Sequence, residues 1–266
     1  MLIENTLFGT VDKVQIAIDR IREFEPPEGY YVAFSGGKDS VVILDLVKRS
    51  GVKFDAHYNI TGIDPPELYY FIRDQHPEVQ RHRPDKTMWS LIIQKMMPPT
   101  RIVRYCCQYL KERGGKDRTV MTGVRWAESA KRSKRRVVES CYRKQNKFYV
   151  NPIIDWEDSD VWQYIKENSV KYCSLYDEGF KRLGCIGCPI AGKKRIAEFE
   201  RWPRIERLYR KAFAAAAAAR NQKECSKEWA ANHPLLATWT DGEAMFDWWM
   251  EDKHLKGDPD QTVMFE

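Results

Sequence analysis

Ser35-Gly36-Gly37-Lys38-Asp39-Ser40 lies between two apolar runs, and that placement restricts the fold more than any other feature of the chain. Tyr30-Tyr31-Val32-Ala33-Phe34 before it reads as a buried strand, and Val41 to Val47 after it suits a helix packed on a sheet. Strand, glycine turn and helix bring free backbone N–H groups and the positive end of a helix dipole to one point, which is a seat for an anion. Gly36 and Gly37 let the backbone approach a phosphate with no Cβ in the way. Ser35 and Ser40 offer hydroxyls, Lys38 a point charge, and Asp39 a carboxylate for a hydrated Mg²⁺ or for orienting the loop. An ordinary βα turn also uses Gly and Ser. The spacing fits neither the Gly-x-x-x-x-Gly-Lys-Ser/Thr loop nor the Gly-x-Gly-x-x-Gly fingerprint.

The rest of the chain supplies a setting for that loop. Val11, Val14, Ile18, Ile21 and Phe24 predict a helix over residues 11–25, stopped by Pro26-Pro27. Val52 to Ile60 reads as a second strand, so a right-handed βαβ unit and a parallel sheet are expected. Further helices are expected from Pro66 to Gln75, from Thr87 to Met97, and after the acidic opening Asp155 to Asp160. Thr119 to Thr122 and Phe148 to Val150 read as strands. The predicted class is α/β, an open, mostly parallel sheet with helices on both faces, plus a C-terminal helical appendage. The expected division is a nucleotide-binding domain over residues 1–190, metal site included, and a helical, tryptophan-rich part over 191–266. Trp202, Trp229, Trp239, Trp248 and Trp249 are read as packing anchors, and Ala214 to Ala219 as a strong helix former without chemistry.

Cys106-Cys107 and Cys185-x-x-Cys188 are pairs far apart in sequence. A Cys-x-x-Cys turn with Gly187 and a following Pro189 aims two thiolates at one centre. Adjacent cysteines on a helix differ by about 100° around the axis, which suits a bulky cluster better than a single zinc. An all-sulfur set excludes hard cations, and the bland alternative is buried or redox-sensing thiols. Cys141, Cys173 and Cys225 have no sequence partner, and His57, His76 and His82 have no metal-ligand spacing. With seven cysteines, no leader pattern and no apolar run of membrane length, a reducing cytoplasm is the expected home, with no disulfide framework and no membrane contact. A net charge of +6 is compatible with a phosphate-rich partner. The basic run Lys131 to Arg136 could face a phosphosulfate or a nucleic-acid backbone, or be a solvated loop.

The loop at residues 35–40 resembles the pyrophosphate loop, Ser-Gly-Gly-x-Asp-Ser, of the adenine nucleotide α-hydrolase superfamily. That superfamily includes N-type ATP pyrophosphatases and the adenylyl-sulfate and phosphoadenylyl-sulfate (PAPS) reductases. Asn59 to Glu67 is similar to an Asn-Thr-Gly…Pro-Glu-Thr segment of the PAPS reductase family, departing at Ile60 and Leu68. Thr122-Gly123-x-Arg125-x-x-Glu128-Ser129, the Asn151-Pro152…Trp162 stretch and Tyr176-Asp177-x-Gly179-Phe180…Gly184-Cys185 follow in that family's order. The resemblance covers roughly residues 30–190. It implies an adenine nucleotide on Ser35, Gly36, Gly37, Lys38, Asp39, Ser40, Thr61, Gly62, Gly123 and Arg125, with Lys38, Asp39 and Arg125 catalytic. Arg104 is a further phosphate candidate on its charge alone. The resemblance also implies a 4Fe-4S cluster on Cys106, Cys107, Cys185 and Cys188.

The reductases of this family carry a nucleophilic cysteine in a Glu-Cys-Gly-x-His tail, whereas this sequence ends Gln261 to Glu266 with no cysteine after Cys225. The expected enzyme is therefore an ATP pyrophosphatase that adenylylates an acceptor with Mg²⁺ and releases pyrophosphate for sulfur transfer. It resembles the enzymes of DNA phosphorothioation or tRNA thiolation. The alternatives are an adenylyl-sulfate or PAPS reductase releasing sulfite, and a non-catalytic nucleotide sensor. The expected partners are an adenine nucleotide, nucleic acid, a sulfur-donating protein (cysteine desulfurase or thioredoxin) and a second copy of the chain.

Overall fold

The computed structural model describes residues 2–6, 9–140, 147–222 and 239–251; Cys141, Cys225 and Trp229 lie outside them. The chain forms two compact units. The first comprises residues 1–59, 66–82 and 113–183, and the second residues 60–65, 83–112 and 184–266. The second unit thus reaches back into the chain, and a cut at residue 190 separates only its C-terminal part. Among the described residues no helix is long and apolar enough to cross a membrane.

The first unit opens with a hairpin, β1 (Ile3–Thr6) and β2 (Gly9–Asp12), leading into α1 (Lys13–Glu23). Val11 lies in β2, not in the helix, because the Asp12 carboxylate caps α1 by accepting from the Val14 and Gln15 amides. Its sheet contains β3 (Tyr30–Ala33), β4 (Phe54–Asn59), β5 (Gln80–His82), β6 (Thr119–Met121), β7 (Val138–Ser140) and β8 (Phe148–Val150). The order is β5-β4-β3-β6-β8-β7, parallel except for β7, which runs antiparallel to β8. The expected open, mostly parallel sheet is present.

Chain order reverses at β3, whose neighbours are β4 on one side and β6 on the other, so a topological switch point lies between β3 and β6. β3 is central because its side chains are apolar and nearly all buried, and the Tyr30 hydroxyl donates to the Ile21 carbonyl at 2.9 Å. The helices α2 (Lys38–Ser50), α3 (Pro66–Gln75) and α6 (Asp158–Glu167) complete this unit. α2 packs against α1 and α6. α6 begins at Asp158 rather than in the earlier acidic run, because Glu157 and Asp160 form a capping box while Asp155 turns away to Arg20.

The second unit holds α4 (Met88–Lys95), α5 (Tyr105–Leu110), α7 (Lys194–Arg201), α8 (Pro203–Gln222) and α9 (Gly242–Met250). α8 lies against α4 and α9. Gly242 permits this approach: a Cβ there would stand 2.4 Å from the Ala214 Cα. Ala216 and Ala217 are buried, so the alanine run supplies a thin helix face. Trp249 is fully buried among Tyr209, Phe213 and Phe246, and its indole N–H donates to the Pro99 carbonyl at 2.7 Å.

Candidate functional site

In the first unit a cavity of about 450 Å³ opens where the chain leaves β3 and β6. Gly36, at φ 72°, sits behind the loop; a Cβ there would meet Leu68 and Ile72 of α3 at 2.7 and 2.8 Å. Ser40 staples the turn: its hydroxyl donates to the Gly37 carbonyl at 2.8 Å and accepts from the Ser35 amide at 3.3 Å. Gly37 precedes the first residue of α2, and the Lys38 N–H at that helix start donates to the Tyr176 hydroxyl at 2.9 Å. Gly123 lets the segment after β6 lie against the start of α2, since a Cβ would be 3.0 Å from the Asp39 backbone.

Two buried cations, Lys38 and Arg125, meet two carboxylates in this cavity, half-buried Asp39 and exposed Asp158. Arg125, only 2% exposed, donates from Nε to Asp39 at 2.7 Å, from Nη2 to Asp158 at 2.9 Å and from Nη1 to the Trp156 carbonyl at 3.1 Å. Lys38 Nζ lies 2.9 Å from Asp158 and 3.4 Å from Asp39. Burial works against the Arg125 charge, but Asp39 and Asp158 outweigh it and raise the guanidinium further. Burial also opposes the Asp158 carboxylate, and the hydrogen bonds from Lys38 and Arg125 pull it below the ordinary range. Such a cluster can release Lys38 and Arg125 to phosphate oxygens while Asp39 and Asp158 take up a hydrated divalent ion.

Ser35, Gly37, Lys38, Asp39, Ser40, Gly123 and Arg125 therefore line one cavity, with Gly36 shaping it from behind. Sequence reasoning missed Asp158 and Tyr176. The signals were present, since Asp158 lies within an acidic run before an apolar helix face and Tyr176 opens the Tyr-Asp-x-Gly-Phe motif. It also missed the order among the histidines. His57 Nδ1 lies 2.8 Å from His82 Nε2, its Nε2 meets Asp55, and Tyr31 stacks on it at 4.0 Å.

Thr61 and Gly62 belong to the second unit, where Thr61 joins the cysteines. Its hydroxyl accepts from the Ile63 N–H at 3.2 Å and from the Cys185 thiol at 3.8 Å. Cys106 and Cys107 open α5, while Gly187 sits at φ 71° in the Cys185–Cys188 turn. A Cβ on Gly187 would come within 2.7 Å of the Phe199 ring, and its N–H donates to Glu198 at 2.8 Å. The Ile186 N–H donates to the Ile63 carbonyl at 2.8 Å, and its own carbonyl accepts from the Tyr209 hydroxyl at 3.2 Å. All four cysteines are half-buried.

The two neighbouring sulfurs act on each other, pushing Cys106 up and Cys107 down; burial and the Cys185 and Cys188 sulfurs add to the rise at Cys106. Burial pushes Cys185 up to about 12, against the opposing charge of Lys111, which donates to it. Lys111 lies four positions beyond Cys107, one helical turn, and sequence reasoning passed it over. Among the described residues no three histidines, cysteines or carboxylates converge on a single metal ion. The four cysteines, drawn from two segments, offer sulfur alone, a soft set that admits zinc or iron–sulfur and excludes hard cations.

Residues 29–191, more than half of the chain, match the phosphoadenosine phosphosulfate reductase domain. An uncharacterised protein of Methanocaldococcus jannaschii is 32% identical over 68% of this chain and 45% of its own length. An adenosine 5′-phosphosulfate reductase of Oceanobacillus iheyensis is 28% identical over 59% of this chain and 69% of its own. A probable FAD synthase of Schizosaccharomyces pombe is 27% identical over 68% and 69%. The chain spans less than half the length of its two archaeal relatives. Among solved structures, PAPS reductase from Candida auris aligns with a TM-score of 0.49 at 22% identity, over 64% of this chain and 87% of the other. The named relatives are nucleotide-handling enzymes, and the chain belongs to the phosphoadenosine phosphosulfate reductase family.

Proposed function

We propose that the chain is an ATP pyrophosphatase-type enzyme that adenylylates an acceptor and releases pyrophosphate, preparing the acceptor for sulfur. The observation that carries this reading is the charged cluster in the cavity. Two carboxylates, Asp39 and Asp158, stand beside Lys38 and Arg125 at the start of α2. Binding a sulfate ester calls for cations alone, whereas an Mg²⁺-bound polyphosphate calls for carboxylates beside them. The glycine-loop amides and Lys38 hold the phosphates, Arg125 grips an oxygen pair, and Asp39 with Asp158 carries the magnesium. The acceptor oxygen attacks the α-phosphorus, the bond to the β-phosphate oxygen breaks, and pyrophosphate leaves with that electron pair. A family relative named as a probable FAD synthase favours nucleotide chemistry wider than sulfate reduction.

Cys106, Cys107, Cys185 and Cys188 would hold a 4Fe-4S cluster, which would supply a sulfur-rich, redox-active surface when bound. Lys111 would offset its negative charge through Cys185. The acceptor is proposed to be nucleic acid, the sulfur donor a cysteine desulfurase, and the compartment the cytoplasm. One anaerobic experiment tests the reading: ATP, adenylyl sulfate and PAPS are offered in parallel with Mg²⁺ and thioredoxin. With no acceptor added, water takes the adenylyl group in its place, and slow release of AMP and pyrophosphate from ATP is expected. Sulfite from either sulfate ester, with no pyrophosphate from ATP, would establish the reductase in its place.

A further inference from the structure

The cavity of the first unit carries two cations that the protein itself leaves unused. Lys181 and Arg182 line it directly after the Tyr176 to Phe180 motif. Both are solvent-exposed, and among the described residues neither makes an ion pair or a side-chain hydrogen bond. The other cations of the lining are all engaged: Lys38 by Asp158, Arg125 by Asp39 and Asp158, and Arg132 by Glu128. An arriving anion therefore meets inner cations already neutralised and outer ones that are free.

A monophosphate can be satisfied by glycine-loop amides and a shared lysine. A longer phosphate chain brings more negative charge than those groups can meet without breaking their own pairs. We infer that Lys181 and Arg182 form an outer anion subsite, which holds the far end of a nucleoside polyphosphate running outward from the glycine loop. The inference rests on the ATP reading above and adds residues that discriminate triphosphate from monophosphate. An arginine fork beside a lysine suits phosphate oxygens, one by bidentate geometry and the other by charge.

The test is calorimetric titration of AMP, ADP and ATP, each with Mg²⁺, into the full chain and into Lys181→Ala/Arg182→Ala. The wild type should bind more tightly with each added phosphate. The double variant should keep its AMP affinity within about twofold and lose about tenfold to a hundredfold for ATP. A Lys181→Arg/Arg182→Lys exchange should retain most of the ATP affinity, which separates charge from a disturbed loop. An unchanged ATP-to-AMP ratio in the alanine variant would overturn the subsite. So would an equal loss for adenosine 3′,5′-bisphosphate, which would assign the pair to a ribose phosphate, or a loss confined to a single-stranded oligonucleotide. If the wild type binds neither AMP nor ATP, the nucleotide reading itself falls, an outcome distinct from an unchanged ratio.

Discussion

The two candidate sites are held in shape by different forces. In the first unit the cluster is electrostatic: Arg125 and Lys38 grip Asp39 and Asp158, so every charged group has a partner that a ligand must win away. In the second unit the Cys185–Cys188 turn is held by shape and backbone. Gly187 is wedged against Phe199, and Ile186 is bonded to Ile63 and Tyr209. A site built of traded ion pairs responds to charge; one built of wedged turns responds to volume. Substitutions can separate the two.

The largest effect is expected at Gly36. Valine there would combine a positive φ with a clash into Leu68 and Ile72, lowering stability by about 2–5 kcal/mol and abolishing nucleotide binding. Gly37→Ala should cost less than about 1 kcal/mol, since its Cβ would meet only the Tyr176 and Ser35 oxygens at 3.5–3.6 Å. Urea midpoints of the two variants check the contrast, and equal midpoints would show that the loop is not pinned by α3.

Arg125→Met comes next. It leaves Asp39 without its closest cation and should destabilise by about 2 kcal/mol, with ATP affinity falling at least tenfold. Arg125→Lys should restore charge but not the fork to Asp39, Asp158 and Trp156, and recover only part of the affinity in the same titrations.

A charge pair away from both sites calibrates the comparison. Asp160 is buried, yet hydrogen bonds from Lys13 and the Glu157 amide outweigh that burial and hold its carboxyl at about 2. A carboxyl depressed on folding stabilises fully above its ordinary value of 3.8 and loses that contribution as pH falls through about 2. Asp160→Asn should therefore lower stability by about 2 kcal/mol at neutral pH and flatten the acid limb of the melting profile. A parallel acid limb in wild type and variant would show that the pair does not act.

The smallest effect on the first unit should come from Cys185→Ser. Anaerobic protein should lose most of its iron and sulfide while its AMP affinity changes less than about twofold, a ratio read by metal analysis and calorimetry together. Stoichiometric zinc in colourless wild-type protein would replace the cluster with a single-ion centre.

The loop at residues 35–40 and the parallel sheet were legible because strand, turn and helix signals there are local. The partners of that loop were not, since Asp158 lies far along the chain and its role depends on where α6 begins. Thr61 was placed by its motif alone, and its contact with Cys185 was not legible, because it arises only when residues 60–65 join the second unit. The hairpin of β1 and β2 went unread because each strand is short and bears too little alternation. Lys111 carried no motif and became visible only when α5 brought it round to Cys185.

The Tyr176 hydroxyl gives the first unit a further property. It accepts from the Lys38 N–H, so an anion that took this amide, as the proposed function requires, would exchange one acceptor for another rather than fill open space. Trp162 stands edge-on to Tyr176, with ring centres 5.1 Å apart, and Tyr172 completes the trio. Displacing the phenol must alter the surroundings of an indole that emits light. The protein thereby carries its own optical indicator, whose time course would report the speed of the swap itself, separately from the diffusion that delivers the ligand.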